Sequence, residues 1–203
     1  MGSELNGLLK EAIWITTSLF NRGKVSGATA NLSFICGDEI YITATGSCFG
    51  SLREEDFARV GRDGALLGGP KPSRESPLHL SLYRRHPEAK AVLHTHSPWT
   101  TTWSCLEHPD PCDVMPDYTP YLRSRVGRVA LVPYAPPGSP ELFGLLDSHL
   151  EPNVTCYLLS NHGPIAAGPS LSEVFYDIEE LEDSARIACF LPLLADVRKS
   201  RLI

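Results

Sequence analysis

The sequence predicts a single α/β domain of two or three layers, spanning residues 1–203, and three observations carry that prediction. Apolar runs of strand length alternate with runs of helical period from one end of the chain to the other. No internal repeat, low-complexity segment or linker interrupts that alternation. A chain of 203 residues, 42% hydrophobic and 21% charged, is also long enough to bury a good core and ordinary enough in composition to be globular.

The elements follow in order. Leu5, Leu8, Leu9, Ala12, Ile13 and Ile15 fall near helical spacing, so residues 4–20 read as a helix, which the glycines of "NRGKVSG" break. "ANLSFICGDEIYIT" reads as a hairpin turning at Gly37-Asp38. In "SLREEDFARV", Ser51 followed three residues later by Glu54 has the form of a capping box and predicts a short helix. "GRDGALLGGPKPS" is turn-rich and is expected to cross the surface. "SPLHLSLYRRHP" is helical by period and stops at Pro87, and "AKAVLHTH" is an apolar strand of the kind covered on both faces. A helix over 99–106, a proline-rich passage over 109–120 and the strand "GRVALVPY" come next. "PPGSPELFGLLDSHL" is a loop and a helix with Ser139 as its cap. "VTCYLLSNHG" is a strand ending in a polar turn, and "SLSEVFYDIEELEDSARIACFLPLL" is a long last helix.

Composition excludes several classes. Eighteen Lys+Arg against 24 Asp+Glu leave a net charge of −6, with no long basic run, which argues against nucleic acid as a partner. No stretch of about 18 uncharged apolar residues occurs, so no membrane span is expected. The first 20 residues lack a basic segment followed by an uncharged apolar core, so no signal peptide is expected. The six cysteines, Cys36, Cys48, Cys105, Cys112, Cys156 and Cys189, are scattered and form no CxxC pair. Reduced thiols and a cytoplasmic location follow as expectations.

Candidate chemistry gathers in a few short segments. His94 and His96 close the strand "AVLHTH", and residues i and i+2 of a strand share a face. Two imidazoles side by side suit zinc or a similar divalent ion, although an HxH alone also fits ordinary packed histidines. His162 in "LLSNHG" ends a second apolar strand and supplies a third imidazole, or a plain turn histidine. Glu75 in "KPSRESPLH" is the only acid of its segment. It fits a metal ligand or an acid/base, and equally a glutamate favoured by a helix N-terminus. His79, four residues on, reads as a packed or hydrogen-bonded histidine rather than a ligand. The polar turns "GATANLS", "TATGS" and "PSRE" offer backbone N–H groups and short donors of the kind that cradle phosphate, or simple turns at strand ends.

Taken together, "ANLS", "ITATG", "KPSRESPLH", "PEAKAVLHTHSPWTT" and "LLSNHGPIAAG", followed by the long last helix, resemble the class II aldolase/adducin family. The likeness runs from about residue 5 to 190. It implies a layered α-β-α fold with a central, mainly antiparallel sheet. It also implies a Zn2+ site, or one for another divalent metal, on His94, His96 and His162. Glu75 matches the family glutamate that both ligates the metal and serves as acid/base. Asn31, Thr45, Gly46, Ser73 and Arg74 match positions that hold a substrate phosphate. Arg74 is a departure, since the family motif PSSE here reads PSRE, and a guanidinium adds a fixed, bidentate cation. The resemblance further implies a homotetramer with active sites at subunit interfaces. Tyr121 is then a candidate donor reaching a neighbouring subunit, or a residue of interface packing.

"MPDYTPYLRSRVGRVALVPYAPPGSPEL", with its TPY, VGR, LVPY and PGxxEL elements, resembles the branch of the family that decarboxylates 3-oxo-tetronate 4-phosphates. The substrate implied is a phosphorylated four-carbon sugar acid, and the products are dihydroxyacetone phosphate and CO2. The alternative is an aldolase cleaving a sugar 1-phosphate such as fuculose 1-phosphate. Glu75, where epimerases carry Asp, speaks against an epimerase. An adducin-like scaffold module would be expected to lose the metal ligands that this chain keeps.

Overall fold

The structure, a computed structural model, describes residues 2–200. Its centre is one eight-stranded sheet in the order β4-β3-β2-β1-β5-β8-β7-β6. The strands are β1 (Asn31–Cys36), β2 (Glu39–Thr43), β3 (Phe57–Val60), β4 (Leu66–Gly68), β5 (Ala91–His94), β6 (Val129–Val132), β7 (Cys156–Leu159) and β8 (Gly163–Gly168). Every neighbouring pair is antiparallel except β6 with β7. The helices are α1 (Gly2–Asn21), α2 (Ser76–Arg85), α3 (Pro98–Ser104), α4 (Pro120–Arg125), α5 (Pro140–His149) and α6 (Leu171–Ser200).

Two apolar cores sandwich this sheet, which makes the fold a three-layer α-β-α domain. On one face Leu9, Ala12, Ile15 and Leu19 of α1 and Val174, Ile178, Leu181 and Ala185 of α6 pack on Leu32, Phe34 and Leu93. On the other, Leu78 and Leu82 of α2 and Leu142 and Leu146 of α5 pack on Ile40, Ile42, Val92 and Tyr157. Alternate residues of β5 therefore serve opposite cores, which is why the strand is apolar throughout.

Three segments depart from the sequence reading. The capping box at 51–54 opens no helix: Phe49–Ser51 and Glu54–Asp56 are single 3-10 turns, and Phe57–Val60 is a strand on β2. Asp56 does accept from the Arg53 N–H, at 2.9 Å, but this bond closes only the short turn. A nucleus of a few residues gains less than the ladder with β2 and the burial of Phe57, Ala58 and Val60. In the expected surface crossing, Leu66–Gly68 add an edge strand. "GPIAAG" forms the fully buried β8, hidden in the sequence by Pro164, since proline argues against a central strand. The ring nitrogen donates nothing, but the Pro164 carbonyl still joins the strand to its neighbour, accepting from the Thr95 N–H at 3.1 Å.

The outer features agree with expectation. Ser139 caps α5, its hydroxyl accepting from the Leu142 N–H at 3.2 Å. All six cysteines are free thiols. No described helix is long and apolar enough to cross a membrane.

Candidate active site

One end of the sheet collects the candidate residues. β1 starts at Asn31, β2 ends at Thr43, β5 ends at His94 and β8 starts at Gly163. Asn31 is the direct register partner of His94 across β1 and β5. The segment carrying Ser73, Arg74 and Glu75 is tied to the same end. Ala44 bridges Pro72, the Ser73 N–H donates to the Thr43 carbonyl at 3.1 Å, and the Thr45 N–H donates to the Lys71 carbonyl at 3.0 Å. Four loops far apart in sequence thus converge because their strands are neighbours.

His94, His96, His162 and Glu75 form the centre of this assembly, each offering one ligand atom, and those atoms lie within 4.8 Å of one another. The Nε2 atoms of His94 and His96 are 3.1 Å apart and those of His94 and His162 are 3.3 Å apart. Glu75 brings one carboxylate oxygen to 3.4 Å from His94 Nε2 and the other to 3.4 Å from His162 Nε2. A tetrahedral divalent ion with bonds of roughly 2.0–2.1 Å sets its ligand atoms about 3.3–3.4 Å apart. The four separations at His94 and His162 are of the size found between ligands of one metal ion.

The electrostatics agree. His94 donates from Nδ1 to the Pro164 carbonyl at 2.8 Å, which leaves a lone pair on Nε2 aimed into the cluster. Burial pushes the His94 imidazole well below its ordinary range, and the facing rings of His162 and His96 push it further. His96 is lowered to about 4 by burial and then by His162. Burial lowers His162 too, against the pull of the Glu75 carboxylate. Neutral rings facing a carboxylate put acceptor atoms together, and one proton cannot satisfy them all, whereas one cation can. Among the described residues nothing accepts from or donates to His162 Nδ1, so this imidazole is held by its backbone and by what binds Nε2.

That backbone is demanding. Gly163 has φ +143, and a Cβ there would stand 2.3 Å from the Thr95 carbonyl oxygen and 3.2 Å from the His96 Cα. Only glycine lets the start of β8 come this close to the His94–His96 segment. A second device sits behind: the fully buried Glu182 of α6 accepts from the N–H groups of Trp99 at 2.9 Å and Thr100 at 2.8 Å, and from the Thr100 hydroxyl at 2.8 Å. It caps α3 directly after the HxH and holds that segment against the sheet.

A cleft of about 350 Å³ opens over the histidine–glutamate cluster. Its lining includes Asn31, Thr45, Gly46, Ser73, Arg74, Glu75 and His96, joined by Ala28, Thr29, Pro137 and Gly138. His94 and His162 lie beneath, 0% and 4% exposed. Glu75 alone among the acids is both lining and cluster. The Asn31 amide donates to Glu75 Oε2 at 3.0 Å, and the Glu75 N–H donates to the Ser73 hydroxyl oxygen at 3.2 Å. Pro137 and Gly138 escaped the sequence reading. "PPG" marks a loop, but only the position of β6 at the same end of the sheet brings that loop over Arg74, whose Cβ lies 3.8 Å from where a Gly138 Cβ would be. Glu182, a heptad and more from any motif, gave no signal beyond an acid on an apolar helix face. Tyr121 stands on α4, 65% exposed, and is not among the residues lining the cleft of its own chain.

A mainly antiparallel α-β-α domain with three histidines and a glutamate clustered under a small polar cleft defines a class of metal-binding enzyme scaffold. The chain belongs to the class II aldolase and adducin family: the family described as "Class II Aldolase and Adducin N-terminal domain" matches residues 10–189. The chain is 42% identical over 185 residues to a 3-oxo-tetronate 4-phosphate decarboxylase of Escherichia coli (strain K12), covering 91% of this chain and 87% of that one. It is 35% identical over 169 residues to an L-fuculose phosphate aldolase of Methanococcus maripaludis, covering 83% and 89%. The crystal structure of YgbL from Escherichia coli superposes with a TM-score of 0.88 at 40% identity, covering 92% of this chain and 90% of that one.

Proposed function

We propose that the chain is a metal-dependent carbon–carbon lyase that decarboxylates a 3-oxo-tetronate 4-phosphate to dihydroxyacetone phosphate and CO2. The observation that carries this reading is Glu75, one carboxylate that belongs both to a three-histidine metal cluster and to the wall of an anion-accepting cleft. The 42% identity to a decarboxylase of that substrate supports the choice of reaction.

The metal ligands are His94, His96, His162 and Glu75, and the metal is Zn2+, which the all-nitrogen triad and the short ligand edges favour. Lewis-acid stabilisation of negative charge on the substrate oxygens beside the reacting carbon is the chemistry zinc supplies when bound. The protein does the rest. Asn31, Thr45, Gly46, Ser73 and Arg74 hold the phosphate through an amide, backbone N–H groups, hydroxyls and a guanidinium. That grip sets the C2–C3 end of the substrate against His96 and Glu75. The substrate is a β-keto acid, so breaking the bond to its carboxylate releases CO2 and leaves an enediolate. Glu75, once it has taken up a proton from solvent, delivers that proton to C2, completing dihydroxyacetone phosphate and returning to the carboxylate.

Tyr121 acts as a donor to the site of a neighbouring subunit in a homotetramer, a role that its exposure on α4 supports better than one in its own cleft. The six free thiols fit a reducing, cytoplasmic setting. A second reading, aldol cleavage of a sugar 1-phosphate such as fuculose 1-phosphate, is favoured by the 35% identity to an L-fuculose phosphate aldolase. An enediolate is common to both reactions.

A coupled assay separates them. The zinc-loaded protein is offered 3-oxo-tetronate 4-phosphates and fuculose 1-phosphate, with CO2, aldehyde and dihydroxyacetone phosphate followed separately. CO2 and dihydroxyacetone phosphate in equal amounts from the former is the expected result. Aldehyde from the latter with no CO2 from the former would establish the aldolase reading. His94→Ala should yield a folded protein without stoichiometric metal; full occupancy would refute the ligand set.

A further inference from the structure

Behind Glu75 lies a line of buried polar groups, of which the proposed chemistry uses only Asn31. Tyr83 of α2, Ser33 of β1, His79 of α2 and Asn31 of β1 follow one another at hydrogen-bond distance and end on the carboxylate. Tyr83 Oη is 2.8 Å from Ser33 Oγ, which is 2.7 Å from His79 Nδ1. His79 Nε2 is 2.5 Å from Asn31 Oδ1, and Asn31 Nδ2 is 3.0 Å from Glu75 Oε2. His79 and Ser33 are 0% exposed and Asn31 is 5% exposed.

The line has one direction. The Glu75 carboxylate only accepts, so it takes an N–H from the Asn31 amide, which leaves the amide oxygen facing His79. That oxygen only accepts, so His79 donates from Nε2. Burial holds His79 neutral, pushing it down to about 3, so its Nδ1 carries a lone pair and accepts from the Ser33 hydroxyl. Ser33 in turn accepts from Tyr83. Each donor meets one acceptor and no group in the line is left over, the condition under which a buried polar network rigidifies rather than destabilises. An aliphatic side chain would fill the His79 position between α2 and β1 and spare the cost of burying an imidazole. The ring has a use there because its Nε2–H fixes which way the Asn31 amide points.

We propose that His79 is a positioning residue: through Asn31 it holds the Glu75 carboxylate in the orientation its metal-ligand and proton-transfer roles require. This rests on the reading of Glu75 given above. Without the Nε2–H donor the buried amide oxygen has no partner, and the amide can rotate to seek one, drawing its N–H away from the carboxylate. Glu75 Oε2 then loses its donor and swings away from its place in the cluster. The effect falls first on orientation, so turnover suffers more than substrate affinity: Thr45, Gly46, Ser73 and Arg74 keep their hold on the phosphate and only the Asn31 amide is disturbed.

The test uses the full chain, stripped of metal and reloaded with Co2+, whose visible absorption reports the ligands around it. Glu75→Gln serves as the reference and should alter the cobalt spectrum. His79→Leu should shift that spectrum toward the Glu75→Gln form. It should also lower kcat by roughly 10- to 100-fold with KM within about threefold of the parent, the size expected of a misplaced catalytic group. His79→Gln, which retains an N–H near the Nε2 position, should recover most of both signals. On the Glu75→Gln background His79→Leu should change the cobalt spectrum no further, whereas a role in packing alone would give the same added change on either background. Ser33→Ala, a smaller change at the far end of the line, should move both signals in the same direction by a lesser amount. A parent-like cobalt spectrum and kcat in folded His79→Leu, or in Ser33→Ala if His79→Leu does not fold, overturns the proposal. A Glu75→Gln protein with the parent's cobalt spectrum overturns the assignment of Glu75 to the metal instead, and so separates the two failures.

Discussion

At the floor of the cleft His94 is fully buried, its tautomer set by the Pro164 carbonyl and its neighbours seated by a glycine and a capped helix. At the rim Thr45, Gly46 and Arg74 stand on turns that open to solvent. On the function proposed, the floor depends on particular side-chain atoms placed to within a few tenths of an ångström, because a coordination shell tolerates little else. The rim, in the same proposal, depends on backbone N–H groups and one long, flexible cation, which tolerate adjustment and add their contributions separately. Damage to the floor should therefore be all-or-none and damage to the rim graded.

Acid separates the two most strongly. Burial lowers His79 to about 3 and His96 to about 4, and lowers His94 and His162 as well. In the unfolded chain these rings titrate near 6.5. Above that pH both states leave them neutral and they contribute nothing to the pH dependence. As pH falls below 6.5 the unfolded chain takes up protons that the native fold refuses, so stability falls with falling pH, down to about 4 for His96 and about 3 for His79. Each such proton is worth about 1.4 kcal/mol per pH unit. Chemical denaturation of the metal-free protein across that window should show this slope. His79→Gln should reduce it by about one proton, whereas Arg74→Ala at the rim should leave it unchanged. Equal slopes in the parent and His79→Gln would break the distinction.

Gly163→Ala probes the floor through its backbone. The new Cβ would meet the Thr95 carbonyl oxygen at 2.3 Å, and since that atom belongs to the main chain it cannot turn aside. The strand start must move and His162 with it. We expect a stability loss of about 2–4 kcal/mol, together with weakened metal binding, read by thermal unfolding with and without Zn2+. A Gly163→Ala protein that unfolds like the parent and keeps its metal affinity would mean that the close approach of β8 is not what seats His162.

The floor was also the more legible region in the sequence, for the same physical reason. A cluster able to hold a metal is written in residue types: His94, His96, His162 and Glu75 stand out in the sequence because few other side chains offer those ligand atoms. Their assembly at one sheet end follows from β5 and β8 being neighbours, which their apolar runs made plausible but Pro164 concealed. A rim of backbone donors leaves only generic turn residues in the sequence, so Thr45, Gly46 and Ser73 became candidates through the family likeness, and Pro137 and Gly138 did not become candidates at all. The Ser51–Glu54 pattern signals a helix because a capping pair is local and visible in sequence, whereas the pairing of β3 with β2 that competes with it is not. His79 was legible as a hydrogen-bonded histidine but not as part of a line to Glu75, since its partners Ser33 and Asn31 lie 46 and 48 residues away in the chain.

Arg74 sharpens the comparison from the other side, with the smallest expected change. It lines the cleft beside Ser73 and Glu75, exposed, and brings a guanidinium to its rim. An exposed cation facing a doubly charged phosphate contributes modestly, because water and salt screen it. Arg74→Ala should raise KM for the phosphorylated substrate by about tenfold, near 1.4 kcal/mol of binding, with kcat and metal content nearly unchanged. Arg74→Lys should recover part of the loss, since it keeps the charge without the bidentate fork. Raising ionic strength should narrow the gap between parent and Arg74→Ala, as an electrostatic contribution at an open rim requires. A fall in kcat with KM unchanged would instead place Arg74 at the reacting end of the substrate, against its carboxylate, and the division between a chemical floor and a binding rim would have to be redrawn at that residue.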